Sequence, residues 1–335
     1  MSKYREDSYI FCASLIRASE NRFLPEAELV KAAEAKDFDE AMAVVASHGY
    51  GDGKPLENPR SFVNILNEEE AEAYEMVFSA LPERNELDLL KLPKDYHNAK
   101  AILKAEFLNT SPEPYLVLGG LLKREALIEM IKDRNYAFLS TEMKEAIAEA
   151  IDIFSKGRDP QEVDIILDKA CYKEMYARAE AFGNSFLLDY IRLSIDLLNV
   201  TTFVRLKQMK KPWDFFKKVF LEGGNIKENI FVGGYEEPYQ QLAERFAPYG
   251  FREIIEKGAV AARDTGLYSL MEKLCDNKRI EFIKNSRFVS FGIEPAIAYI
   301  VAKESEIKNL RMILNGKIAN TPKEVILERL RETYV

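Results

Sequence analysis

Glu306-Ile-Lys-Asn309-Leu-Arg-Met-Ile313-Leu314, near the C-terminus, reads acid, two residues, Asn, apolar, two residues, then two apolar residues. The same pattern stands at Asp196-Leu-Leu-Asn199-Val-Thr-Thr-Phe203-Val204 and at Asp95-Tyr-His-Asn98-Ala-Lys-Ala-Ile102-Leu103. Asn98, Asn199 and Asn309 are separated by 101 and 110 residues, about a third of the chain each time. Such a period predicts one structural unit used three times. Acid and Asn lie one helical turn apart and face the same way. Asn is a poor helix former, so a compensating interaction is expected at each position. Two readings stand: three equivalent contacts for a partner, or three internal helix–helix hydrogen bonds inherited by duplication.

A second marker keeps the same step. Leu118-Gly119-Gly120-Leu and Leu221-Glu-Gly223-Gly224 each have an apolar lead-in, two glycines and then a charged helix start. Glycine tolerates positive φ, so each pair reads as a stop or linker. The expected division is 1–118, 119–222 and 223–335.

The chain between these markers reads as helix. Stretches at Tyr9 to Ser19, Glu28 to Ala46, Glu68 to Leu81, Thr141 to Phe154, Pro160 to Phe182, Ser185 to Lys210 and Pro295 to Leu314 are separated by Gly- and Pro-bearing loops. Pro93 is placed to start the first Asn-bearing helix, and Pro112 and Pro114 to keep it from running beyond Asn109. Asn315-Gly316 reads as a helix stop, and Thr321-Pro-Lys-Glu324 as N-cap, first-turn proline and N3 acid of a terminal helix. No sustained alternation rich in β-branched residues occurs, so the fold class is all-α.

In the last long helix Ile297, Ile300, Ile307 and Leu314 form one apolar stripe, and Glu304 and Arg311 occupy its remaining points. Two charges on such a stripe need partners. They are expected either at its edge, bonded to neighbouring helices, or as a buried ionic tie.

The bulk numbers exclude several functions. With 335 residues there is room for two or three domains. A formal charge of −8 argues against a nucleic-acid backbone as partner, since that binding needs excess Lys and Arg. Cys12, Cys171 and Cys275 are far apart and odd in number, which suits a reducing cytoplasm and buried thiols. The opening Met-Ser-Lys-Tyr-Arg-Glu-Asp leads into no signal core. The most apolar runs, Tyr115 to Leu122 and Pro295 to Ala302, fall short of the roughly 20 residues that cross a bilayer.

Chemistry-bearing motifs are missing. Gly49-Tyr-Gly-Asp-Gly-Lys54-Pro55 has His48 and Pro55 where a phosphate loop needs Gly and a hydroxyl. His48 and His97 have no second ligand at metal spacing. No catalytic residue, cofactor or metal is expected.

The most specific stretch is Glu294-Pro-Ala-Ile-Ala-Tyr-Ile-Val-Ala-Lys303-Glu304-Ser-Glu306-Ile-Lys-Asn309-Leu-Arg311-Met-Ile-Leu-Asn-Gly316-Lys317. It resembles the C-terminal signature of the C subunits of V-type (A-type) ATP synthases, whose eukaryotic counterpart is the d subunit of the V-ATPase. Tyr96-His-Asn98 to Ala105, Asp189 to Arg205 and Phe220 to Gly224 match in the right order. Asn315 departs from the small or hydroxyl residue common there. The resemblance implies three similar helical bundles around a pseudo-threefold axis, forming a funnel. It implies a non-catalytic part joining the central stalk to the membrane rotor ring, cytoplasmic and held at the membrane through that ring. Read without the resemblance, a helical scaffold for some soluble protein and an all-helical hydrolase with a clustered acidic pocket both remain open.

Overall fold

The computed structural model describes residues 6–53, 56, 58–157 and 159–335; Lys54 and Pro55 of the glycine-rich loop lie outside them. Every regular element among the described residues is helical. The chain starts with α1 (Ile10–Ser19), α2 (Glu26–Glu34), α3 (Phe38–Ala46) and α4 (Phe62–Ala80). The stretch expected as one helix from Glu28 to Ala46 is two. Ala35 turns extended, and the Asp37 carboxylate caps α3 by accepting the Glu40 amide. Next come α5 (Leu92–Phe107), α6 (Arg124–Lys132), α7 (Thr141–Gly157), α8 (Pro160–Phe182), α9 (Ser185–Gln208), α10 (Trp213–Val219) and α11 (Glu228–Gly233). The last third holds α12 (Tyr239–Phe246), α13 (Val260–Thr265), α14 (Ser269–Lys284), α15 (Glu294–Ile318) and α16 (Lys323–Arg329).

Two compact units result. One is Asn85–Tyr235; the other joins the N-terminal stretch up to Arg84 with Glu236–Val335. In the first, Phe203 of α9 meets Phe216 of α10 and Phe231 of α11 at ring distances of 5.5 and 5.6 Å. These aromatic contacts knit its C-terminal end together. In the second, Leu29, Ala32, Val45 and Phe62 from the N-terminal helices share a core with Ile307, Leu310, Ile313 and Ile326. The stripe Ile297, Ile300, Ile307 and Leu314 is buried, and α15 is buried all round from Pro295 to Lys303. A helix apolar on every side is one enclosed by others. No helix among the described residues is long and apolar enough to cross a membrane.

Two local expectations are corrected. Asn315-Gly316 does not stop α15, which runs on to Ile318. Gly316 is small for a packing reason: a Cβ there would come within 2.8 Å of the Ile326 side chain on α16. The N-terminal cap of α16 is Pro322, and Thr321 lies one place outside it. Proline takes that place because the helix-start amide it lacks has no intrahelical partner anyway.

Candidate functional site

The three Asn-bearing helices end alike. α5, α9 and α15 stop at Phe107, Gln208 and Ile318, nine residues after Asn98, Asn199 and Asn309. Two residues further on, Asn109, Lys210 and Asn320 hold left-handed φ of 52°, 53° and 53°. The following amides close back onto the helix in each case: Thr110 to the Ala105 carbonyl, Lys211 to Leu206 and Thr321 to Gly316. This is the same hydrogen-bonded helix stop three times, on non-glycine residues that disfavour it.

After each stop the chain makes a short helical turn and returns alongside the helix it left. There the Asn side chain grips it. Asn98 Nδ2 donates to the Val117 carbonyl at 3.0 Å, and the Val117 amide donates to Asn98 Oδ1 at 2.8 Å. Asn199 does the same to Leu221 at 2.8 and 2.9 Å, and Asn309 to Arg331 at 3.2 and 3.0 Å. All three Asn side chains are buried. An amide side chain suits this role because it mimics a peptide group, offering one donor and one acceptor side by side. The compensation expected for Asn inside a helix is this reciprocal pair.

The acid completes the clasp in two of the three. Asp95 Oδ2 and Oδ1 accept the Leu121 and Leu122 amides at 2.9 and 3.1 Å. Asp196 Oδ2 and Oδ1 accept the Asn225 and Ile226 amides at 2.9 and 3.0 Å. The register is identical: these amides lie four and five residues beyond the gripped residue. Between them stand the double glycines. Gly119 and Gly223 supply φ of 86° and 101°. Gly120 and Gly224 serve differently from the stop or linker role read from sequence. A Cβ on Gly120 would sit 2.1 Å from Asp95 Oδ1, and one on Gly224 2.2 Å from Asp196 Oδ1. The second glycine is where the carboxylate lies against the backbone.

Burial raises the Asp95 carboxyl to about 6 against the opposing pull of its two amide bonds, and it raises Asp196 in the same direction.

The third clasp differs. Thr333 and Tyr334 stand at the positions of the two glycines, and Tyr334 buries its ring against Phe23 at 5.8 Å. Tyr334 stands at the position of the second glycine and so carries a Cβ where the carboxylate lies in the other two. Glu306 turns elsewhere and accepts from the Leu24 amide (2.5 Å), the Tyr50 hydroxyl (2.5 Å) and Lys303 Nζ (2.7 Å). Lys303 and Glu306 are 4% and 6% exposed, so this is a buried ion pair. Lys303 Nζ also lies 5.1 Å from the ring centres of both Phe23 and Tyr50. Burial and the Glu306 charge push the Tyr50 hydroxyl well above its ordinary pKa, so it remains a donor.

Glu304 and Arg311, read from sequence as charges needing partners, both reach α4. The Tyr74 hydroxyl donates to Glu304 Oε1 at 2.5 Å, and Arg311 Nη2 donates to Asn67 Oδ1 at 3.1 Å. Seven residues separate each pair, in opposite directions, so α4 and α15 run antiparallel. The buried ion pair on α15 is therefore one position off the stripe. Lys303 and Tyr50 were not singled out from sequence; Lys303, three residues before Glu306, carries the only local signal of that pair. A second charge cluster surrounds Asp276, which accepts from Arg279 (2.9 Å), Lys308 (2.9 Å) and Arg331 (3.1 Å). Burial pushes this carboxyl up, but the three cations outweigh it and hold it below its ordinary value.

Ring nitrogens of His48 and His97 lie 3.1 Å from the Val44 and Tyr115 carbonyls. The three cysteines are buried thiols outside any disulfide. No group of three His, Cys, Asp or Glu side chains among the described residues is placed to hold a metal ion. A groove of about 700 Å³ between α7 and α8 has Glu142, Glu145 and Glu149 on one wall and Lys169 and Lys173 on the other. Its acids recur at helical spacing on one face, the pattern of a solvated surface.

The sequence model of the ATP synthase (C/AC39) subunit matches residues 13–329. The C subunit of the V-type sodium ATPase of Enterococcus hirae is 24% identical over 275 residues, covering 82% of this chain and 83% of its own length. The C subunit of the A-type ATP synthase of Thermococcus kodakarensis is 24% identical over 97% of this chain and 90% of its own length. Its counterpart in Methanosphaera stadtmanae is 23% identical over 96% and 87%. With the match running from the first helix through the gripping helix of the third clasp, this chain belongs to the ATP synthase (C/AC39) subunit family of the V- and A-type ATPases.

Proposed function

We propose that the chain is a non-catalytic rotor part that couples the central stalk of a V/A-type ATPase to the membrane rotor ring, for ATP-linked proton or sodium transport. The observation that carries this reading is the threefold recurrence of one clasped helix in a chain of this family. A coupling part must transmit torque without shearing. In each clasp a long helix is locked to the returning chain by bonds at both ends of a side chain, inside a close-packed interior. Such a unit resists sliding along the helix axis, because any slip of one residue breaks both bonds together.

On this reading three quasi-equivalent units, divided near 118 and 222, surround a pseudo-threefold axis and form a funnel. One end takes the proteins of the stalk and the other seats on the cytoplasmic loops of the ring. The ring holds the chain at the membrane, and ATP turnover takes place elsewhere in the complex. Asn98, Asn199, Asn309, Glu304 and Arg311 then act by keeping the units rigid. The test is reconstitution: complexes lacking this chain should hydrolyse ATP in the detached head but pump no ions. Full ATP-driven pumping in its absence would sink the proposal.

A further inference from the structure

The three helix stops act as internal controls for one another. Backbone geometry is the same in all, so whatever decorates only one of them is not required by the turn. After α5 the stop reads Leu108-Asn109-Thr110-Ser111-Pro112, and after α15 it reads Ala319-Asn320-Thr321-Pro322-Lys323. After α9 it reads Met209-Lys210-Lys211-Pro212-Trp213. Here residues 209–214 are exposed without interruption. Met209 is 60% exposed, as Leu108 in the same place of the first stop is 65%, so what sets this tip apart is its lysines and Trp213, 40% exposed and the chain's single tryptophan.

The charges of this tip are also distinct. Lys210 and Lys211 form no ion pair among the described residues. Lys217 Nζ stands 4.3 Å above the centre of the Trp213 ring, with its nearest carboxylate, Glu228, at 3.9 Å. Asp214 is the one acid within the tip itself. In a chain of net charge −8 this is a local positive surface carrying a large aromatic and a thioether.

We propose that the Met209–Trp213 tip is a contact for an anionic lipid surface. Three features select a bilayer over an acidic protein segment. The cations are all lysines, mobile point charges suited to a diffuse anionic field, with no arginine fork aimed at a fixed carboxylate. The exposed apolar groups are Trp and Met, and Trp next to Lys is the composition that settles at the headgroup level. None of residues 209–214 lines the two grooves beside α8, so neither groove gives the tip a slot for a peptide. The chain's overall negative charge does not cancel the attraction, because at physiological salt charges beyond about 8 Å are screened. The proposal builds on the membrane setting proposed above and adds to it a direct touch between this chain and the bilayer.

The lone tryptophan makes the test site-specific. The purified full chain is titrated with vesicles of phosphatidylcholine alone and with vesicles containing phosphatidylglycerol. Trp213 emission should shift to the blue with the anionic vesicles only, and the shift should fade at high salt. Replacing Lys210, Lys211 and Lys217 together by Gln, all on the surface, should weaken binding on the order of a hundredfold. No shift with anionic vesicles at low salt overturns the proposal. So does an equal shift with neutral vesicles, or a shift produced by rotor-ring protein in neutral lipid and not by anionic vesicles, which would assign the tip to a protein partner. None of these results bears on ion pumping by the reconstituted complex, so this proposal and the rotor proposal fail separately.

Discussion

Replacing Gly224 by Ala tests the clasp at its tightest point. The new Cβ would lie 2.2 Å from Asp196 Oδ1 and 3.0 Å from its Cγ. A carbon–oxygen contact needs about 3.3 Å, so the carboxylate must retreat by roughly 1 Å. It is buried and held by the Asn225 and Ile226 amides at 2.9 and 3.0 Å, so retreat breaks or stretches both. Hydrogen bonds to a charged group contribute about 1.5–3 kcal/mol each. Ala also restricts the unfolded chain, which offsets about 0.4–1 kcal/mol, because Gly224 does not use left-handed φ. The expected net loss is about 2–5 kcal/mol, the upper end applying where both bonds are lost. Urea unfolding followed by Trp213 emission reads it directly, since Trp213 lies in the same compact unit. The decisive comparison is a cycle with Asp196→Ala. That change removes the atoms in the way, so Gly224→Ala on top of it should cost less than about 0.5 kcal/mol. Equal costs in both backgrounds would refute the account of the second glycine.

The other predictions concern the same architecture. Asn199→Leu should cost about 2–4 kcal/mol, because it orphans the buried amide and carbonyl of Leu221. Asn309→Leu should cost less, since its bonds to Arg331 are only partly buried; amide hydrogen exchange at Leu221 and Arg331 reads both, and the reverse order would count against the clasp. Lys303→Met should destabilise by about 3–5 kcal/mol by leaving Glu306 buried without its cation. Adding Glu306→Gln should recover part of that loss in denaturant melts, and no recovery would show that the pair does not act as a unit. Asp95, raised to about 6 from 3.8, binds its proton more tightly folded than unfolded. Its contribution therefore favours folding at low pH and is lost as pH rises through about 6, by roughly 3 kcal/mol. The stability difference between wild type and Asp95→Asn should change between pH 4 and pH 7 in that sense, and parallel profiles would contradict it. Asp276 has the opposite sign: depressed by its three cations, it stabilises above its unfolded value and loses that contribution as pH falls through its folded value.

Helical class, the threefold step and the Asn positions were legible in the sequence because they depend on neighbours within one or two turns. Periodicity, proline placement and the acid-x-x-Asn spacing are local properties of the chain. What the Asn side chains hold was not legible: Val117, Leu221 and Arg331 lie 19, 22 and 22 residues away, a distance no periodicity reports. The same holds for the second glycines, whose small size answers a carboxylate that only folding brings near. Asn315-Gly316 misled because its local signal to stop is weaker than the packing of α15 and α16 that carries the helix onward. Glu306 repeats the motif in sequence yet departs from it in space. With Thr333 and Tyr334 in place of glycines, its carboxylate is directed to Lys303, Tyr50 and the Leu24 amide, a choice set by which side chains occupy the neighbouring space. Sequence alone determined that this is a helical protein built on a repeated helix. The tertiary structure decided how each copy is locked, because hydrogen-bond partners are chosen by proximity in the folded chain.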